Sequence, residues 1–271
     1  MKVVVTGATG ILGGHVMREL AAAGHTVTGL DKKFSWGGPS RRLNVLNPAR
    51  VEAALEGAEA VVHLANHPFC RGPTRHRVLR ENVTMNFNVF EAARMAGARL
   101  LVFASSIQAV RSERQLSDPM MRSGLPWLPL DGSIPACPTN PYALSKHIGE
   151  DMLRYYVRNA GTTAVAIRFP YLLREPPPAT GRVVKNPFLD EAFTWLTYAD
   201  GARLIRAALA APLQGFHVFL PAAARPLVGG DVEELRRRYY ADVPLKTPPP
   251  LASFVDCRAI REATGWSPQD T

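Results

Sequence analysis

The order of apolar runs predicts an α/β protein, with a doubly wound parallel sheet followed by a smaller C-terminal cap. Two observations carry that reading. Short β-branched runs alternate with amphipathic helical patterns through the first 170 residues, and the regularity breaks after Pro170 at the Pro176-Pro177-Pro178 run. Strands are expected over 2–5, where Val3-Val4-Val5 is continuous, and over 26–30, 60–64, 100–104 and 163–167. Helices are expected over 12–23, 49–55, 78–96 and 142–159, with apolar residues at three- and four-residue spacings, as in Val83, Phe87, Phe90 and Ala93. Beyond residue 170 the pattern gives a helix at 199–211, a strand at 216–220 and helices at 231–240 and 256–264, with Pro248-Pro249-Pro250 between the last two. The expected division is 1–170 for the sheet domain and 171–271 for a small region interleaved with it. No internal repeat or low-complexity tract is evident.

Bulk properties exclude several function classes. The 271 residues, 46% apolar, suit one large core. No run of eighteen apolar residues occurs, and a strand-like run rather than a signal peptide follows Met1, so a cytoplasmic protein with no membrane partner is expected. The net charge of +9 is mostly arginine, scattered apart from Arg236-Arg237-Arg238. No basic face is interleaved with aromatics, so nucleic acid is not an expected partner, while small anionic ligands remain compatible. Cys70, Cys137 and Cys257 are far apart and fit reduced thiols. No metal site is expected, and His63 and His147 read as packing or surface residues.

Thr6-Gly7-Ala8-Thr9-Gly10-Ile11-Leu12-Gly13 follows the first strand and opens the first helix. In that context backbone N–H groups and the positive helix end hold a pyrophosphate. Gly7 permits the tight turn, Gly10 lets phosphate approach the backbone, and Gly13 lets helix and strand pack closely. Asp31 ends the second strand about twenty residues on, where a carboxylate accepts hydrogen bonds from ribose hydroxyls and repels a 2′-phosphate. NAD is the expected cofactor. Lys32 and Lys33 follow at once and leave NADP open.

Tyr142 and Lys146 stand at i and i+4 of an expected helix, on one face and within side-chain reach. A phenol with a reference pKa of about 10 is a poor base near neutrality, and a neighbouring ammonium favours its phenolate. Upstream, Phe103-Ala104-Ser105-Ser106 ends the fourth strand, at the carboxyl edge where such sheets bind ligands.

The chain resembles the extended short-chain dehydrogenase/reductases, the NAD-dependent epimerase/dehydratase family, over nearly its whole length. The resemblance is carried by the 6–13 loop, Asp31, His63-Leu64-Ala65, a helix start at Asn82-Val83, residues 103–106, Pro141 to Lys146 and Arg168-Phe169-Pro170. It implies a Rossmann-type fold with a small substrate-binding cap. It also implies Tyr142 as general acid/base, Lys146 on the nicotinamide ribose and lowering the tyrosine pKa, Ser106 on the reacting oxygen, and Ser105 as structural. Cofactor contacts are implied at Ile11, Leu12, Leu64, Ala65, Asn82 and Phe169 besides Gly7, Gly10, Gly13, Asp31, Tyr142 and Lys146. Asn44-Val45 falls at the adenine position, where the family commonly has an aspartate in place of Asn44. The implied reaction is hydride transfer at an alcohol or ketone carbon, with Tyr142 moving the proton. A homodimer is the expected assembly.

For the substrate, Asn66, Gln108, Pro170 and Tyr171 adjoin strand ends beside the cofactor, next to Ser106 and Tyr142. Arg174 and Arg182 are candidates for a substrate carboxylate, with surface arginine the stronger reading for each. The connection from Val110 to Thr139, which contains Trp127, reads as a lid over the site or as an ordered surface loop. The stretch after Phe169 is short for a nucleotide-sugar binder and is similar in layout to uronate dehydrogenases and related small-sugar oxidoreductases. Ile107-Gln108 departs from the Asn-His pair those enzymes typically show. Besides a dehydrogenase or reductase of a small sugar-like or sugar-acid-like molecule, an epimerase or dehydratase with tightly bound NAD and a non-catalytic cofactor-binding protein remain as alternatives.

Overall fold

The computed structural model describes residues 1–33, 40–68, 74–113, 122–178 and 188–269. Its strands in chain order are β1 (Lys2–Thr6), β2 (Thr26–Asp31), β3 (Ser40–Arg42), β4 (Ala60–His63), β5 (Leu100–Ser106), β6 (Thr163–Phe169), β7 (Tyr171–Leu173), β8 (Trp195–Thr197) and β9 (Phe216–Phe219). The helices are α1 (Ile11–Ala22), α2 (Pro48–Leu55), α3 (Arg75–Met95), α4 (Pro141–Ala160), α5 (Tyr198–Ala210), α6 (Val232–Tyr239) and α7 (Arg258–Thr264). Cys70 and Arg182 lie outside the described residues, as does part of the 110–139 connection.

Seven strands form one sheet in the order β3-β2-β1-β4-β5-β6-β9, parallel at every pairing. The chain winds outward from β1 to β2 and β3 on one side and to β4, β5, β6 and β9 on the other. A crevice therefore opens beyond the carboxyl ends of β1 and β4, where this class of sheet binds ligands. Successive residues of a strand face opposite layers. Val3 and Val5 meet α1 and α5 in one core with Val16, Leu20 and Ile205, while Val4 and Val61 face the second core with Val89, Phe90 and Leu153.

Local chemistry fixes the helix starts that matter. Asn140 caps α4 by accepting from Ala143 N, and Pro141 occupies the first turn, so Tyr142 enters the helix at its mouth-facing end. β5 and β6 each run two residues beyond the expected ends, because Ser105 and Arg168 are satisfied inside the protein by Glu150. α3 begins at Arg75 under a Thr74 cap, so Asn82 lies two turns inside the helix and not at its start.

β7 and β8, which hydropathy did not reveal, pair in parallel as a separate two-stranded sheet. Three residues each are too few to show a period. A third apolar cluster joins Ile107, Leu125, Leu128 and Leu130 to Phe193, Leu220 and Phe254. Residues 122–139 are therefore built into a core. Leu128 and Leu130 bridge Leu245 and Val255, and no residue of that stretch lines the site cavity described below, so its described part is not the lid considered from sequence.

Candidate active site

Two cavities meet at the switch point and share Leu64, Asn66, His67 and Pro68. The first, about 400 Å³, runs from Gly7, Thr9 and Gly10 past Asp31 to Asn44 and Val45. Gly7 has φ +74, and a Cβ there would meet Ala65 N at 2.9 Å; a Cβ on Gly13 would stand 2.2 Å from Gly7 O. The loop thus lies against the backbone that follows β4, and α1 lies against the loop. Gly10 is the N-cap of α1 and offers no side chain to its first-turn N–H groups, which suits an anion. Asp31 accepts from Thr9 N at 3.2 Å and Lys33 N at 3.0 Å, one bond per carboxylate oxygen, with further lone pairs for a diol. These features fit a dinucleotide.

A chain of buried hydrogen bonds runs from β1 to Lys146. Thr6 Oγ1 lies 2.7 Å from His63 Nδ1 and accepts from Ala65 N; His63 Nε2 lies 3.0 Å from Asn86 Oδ1. Because that amide oxygen only accepts, His63 carries its proton on Nε2 and accepts from Thr6 on Nδ1. Burial holds its imidazolium off, down to about 3, helped by the Lys146 charge. Asn66 donates to Asn86 Oδ1 and Ala65 O, and its own Oδ1 accepts from Lys146 Nζ at 2.6 Å. The ammonium's other bond goes to Ala104 O at 2.7 Å. Desolvation pushes Lys146 down to about 7, opposed by Glu150.

The second cavity, about 780 Å³, holds Ser106, Gln108, Tyr142, Lys146, Phe169 and Pro170. Tyr142 is hydrogen-bonded to Ser106, whose Oγ also accepts from Gln108 N at 3.2 Å. Lys146 Nζ stands 5.5 Å from the Tyr142 ring centroid. The sequence leads one to expect a lowered tyrosine pKa. Instead desolvation pushes the phenol up to about 12, against the Ser106 hydrogen bond and with the Glu191 charge adding to the rise. Removal from water dominates, and the Lys146 amine is committed to Asn66 and Ala104.

A family model for the NAD-dependent epimerase/dehydratase family matches residues 3–176, well over half of the chain. The chain belongs to this family. It is similar to uronate dehydrogenase of Pseudomonas putida, 26% identical over 85% of this chain and 79% of that protein. It is also 32% identical to the NAD-dependent glucose-6-phosphate dehydrogenase of Haloferax volcanii, over 62% of each chain. Among solved structures, a mutant uronate dehydrogenase from Agrobacterium tumefaciens complexed with NAD superimposes with a TM-score of 0.66 at 25% identity, over 92% of this chain and 91% of that one. The protein is accordingly an NAD-dependent oxidoreductase of the extended short-chain dehydrogenase/reductase type, and NAD is its cofactor.

Within this family member, Ile11, Leu12, Leu64 and Phe169 line the second cavity, and Ala65 lines the first. Asn82 lines neither. Its amide is spent on the His67 backbone and on Ser145 Oγ, which in turn donates to Tyr142 O, so Asn82 braces the start of α4. Asn66 borders both cavities, and its amide is hydrogen-bonded to Lys146, Asn86 and Ala65. Ser105 donates to Glu150. Arg174 lies outside the cavity linings, where its charge acts on His15 and Tyr198. Sequence reasoning missed Glu191, Phe188, Phe193 and Leu227 on the cavity wall. The available signal for Glu191 was an acidic pair inside the apolar run from Phe188 to Phe193. No group of three or more metal-ligating side chains occurs, and no helix is long and apolar enough to cross a membrane, among the described residues.

Proposed function

We propose that the protein moves a hydride between NAD and an alcohol or ketone carbon of a small sugar-like or sugar-acid-like molecule. The observation that carries this reading is the Ser106–Tyr142 hydrogen bond in a cavity of about 780 Å³, with Lys146 alongside. The names of the uronate and glucose-6-phosphate dehydrogenase relatives support the substrate class.

In this reading Gly7, Gly10 and the start of α1 hold the pyrophosphate, Asp31 the adenosine ribose, and Asn44 with Val45 the adenine edge. When bound, the oxidised nicotinamide supplies a hydride acceptor and a positive charge beside the phenol. Ser106 holds the reacting oxygen, and Tyr142 exchanges a proton with it. A phenol pushed up to about 12 stays protonated near neutrality and so holds the proton that reduction needs, and in the oxidative direction it needs the adjoining positive charges to lose that proton. Lys146, fixed by Asn66 and Ala104, presents its ammonium toward the phenol and the ribose hydroxyls. Gln108 and Pro170 complete the substrate wall.

The test is stoichiometric. Small sugars and sugar acids are incubated with NAD and followed at the absorbance of the reduced nicotinamide. Net NADH formation equal to product formed is expected. Sugar conversion with no net absorbance change would replace this reading by an epimerase.

A further inference from the structure

The proton transfer assigned to Tyr142 makes no use of Glu191, the one acidic side chain on the wall of the substrate cavity among the described residues. We propose that Glu191 sets the substrate class, accepting the hydroxyls of an uncharged sugar or polyol and turning away a molecule that brings its own carboxylate or phosphate into the cavity. The proposal rests on the sugar-oxidoreductase reading above and narrows it.

Glu191 belongs to a 3-10 turn, Leu189–Glu191, and the two residues after it hold left-handed backbone, Ala192 at φ 49 and Phe193 at φ 53. Neither is glycine, so the turn is strained and is kept by buried packing on both side chains. The strained turn places Glu191 on the cavity wall with Phe188 and Phe193, near enough for its charge to be felt by Tyr142.

Its protein partners are neutral. Ser112 Oγ donates to Oε1 at 2.7 Å, and the Gln108 side chain makes a second hydrogen bond. A carboxylate has about four acceptor sites, so two donors leave capacity for substrate hydroxyls. No lysine or arginine pairs with Glu191 among the described residues. Arg111 stands on the neighbouring Asp190 and on Glu113 instead. Burial raises the Glu191 carboxyl to about 7, opposed by Ser112 and Gln108. Above that pH the group is a carboxylate, and an anionic substrate would then add a second negative charge in a partly apolar, desolvated space, whereas a hydroxyl supplies a proton to share.

Gln108 couples the carboxyl to the catalytic serine, since its side chain bonds Glu191 and its backbone N–H bonds Ser106 Oγ. A sugar hydroxyl placed on Glu191 is thereby registered against the oxygen that Ser106 and Tyr142 work on.

The experiment compares D-glucose with D-glucuronate and D-galactose with D-galacturonate, as kcat/KM for NAD reduction, in the wild type, Glu191→Gln and Glu191→Leu. In the wild type the neutral sugar of the better pair is expected to lead its uronate by roughly a hundredfold or more. Glu191→Gln keeps size and hydrogen bonding but removes the charge, and is expected to shrink that ratio at least about tenfold by raising the uronate. Glu191→Leu, folded by circular dichroism and binding NAD, is expected to lose about tenfold or more on the neutral sugar, mainly through KM. A wild type that oxidises the uronate as well as its neutral partner, or a ratio that Glu191→Gln leaves unmoved, overturns the role of Glu191 while sugar oxidation stands. If no pair yields NADH in any of the three proteins, both the sugar reading and this proposal fall.

Discussion

The nucleotide cavity takes most of its walls from the ends of β1, β2, β3 and β4 and the residues that directly follow them, whereas the substrate cavity gathers Ser106, Tyr142, Glu191 and Leu227 from four distant segments. The first is set by backbone: a positive φ at Gly7, a bare helix start at Gly10 and a strand-end carboxylate at Asp31. The second is set by side chains held in the third apolar cluster, which buries Ile107, Phe193 and Leu220 together. On the proposed reading, the difference teaches that cofactor recognition is a property of the sheet edge, and substrate recognition a property of how loops pack on one another.

The seam between the two regions is where the comparison can be broken most severely. Tyr142→Phe removes the proposed proton donor and leaves the nucleotide walls untouched. Turnover is expected to fall by roughly 10²–10⁴-fold, with NAD affinity, read by fluorescence titration, within a small factor of wild type. A comparable loss of NAD binding would mean that the two regions do not separate. Arg168→Met attacks the seam structurally. Arg168 makes two bonds to Glu150, at 2.9 and 2.7 Å, and reaches Ile134 O at 2.6 Å, so it ties β6 and α4 to the loop layer. Left alone, the buried Glu150 charge is expected to cost about 3–5 kcal/mol in denaturant unfolding. The double variant Glu150→Met with Arg168→Met should recover much of that, and equal losses in both proteins would show that packing, not charge, is at stake.

The same division explains what could be read in the sequence. The glycine loop, Asp31 and the Tyr142–Lys146 spacing each lie within one strand, one turn or one helix, so their chemistry is written in short-range order. Glu191 could not be placed that way, because two consecutive non-glycine residues at positive φ follow it and no residue type announces them. The role of Asn66 was hidden for a related reason. Its hydrogen bond to Lys146 depends on the approach of α4 to the end of β4, which no short-range pattern shows. The raised phenol of Tyr142 likewise depends on desolvation by the assembled cavity, whereas spacing along the helix reveals only the ammonium nearby.

On the nucleotide side, His63 offers a sharper test. Its folded pKa is about 3 against an ordinary 6.5, so the stability its neutral form contributes is fully present above pH 6.5. As pH falls from 6.5 toward 3 the unfolded chain takes up a proton that the folded one refuses, and stability drops by up to about 1.4 kcal/mol per pH unit. Urea unfolding at pH 7, 6 and 5 should therefore show the wild type losing its lead over His63→Asn as the pH is lowered. A lead that stays constant across those values would mean that His63 does not stay neutral in the chain from Thr6 to Lys146.

Asp31→Ala is expected to have the smallest effect, and it isolates the nucleotide region best. The carboxylate anchors the loop through Thr9 N and lines the first cavity with Lys32 and Lys33 beside it, where the proposed reading puts the ribose. Losing the ribose acceptor weakens NAD, while losing the negative charge next to two lysines favours a 2′-phosphate. The ratio of NADP to NAD affinity is thus expected to rise by about tenfold, which corresponds to about 1.4 kcal/mol, with the KM for substrate unchanged. If both cofactors weaken equally, the loop anchor is the whole role of Asp31. If the substrate KM moves as well, the two cavities communicate through the shared wall at Asn66 and His67, and the separation argued from their construction fails.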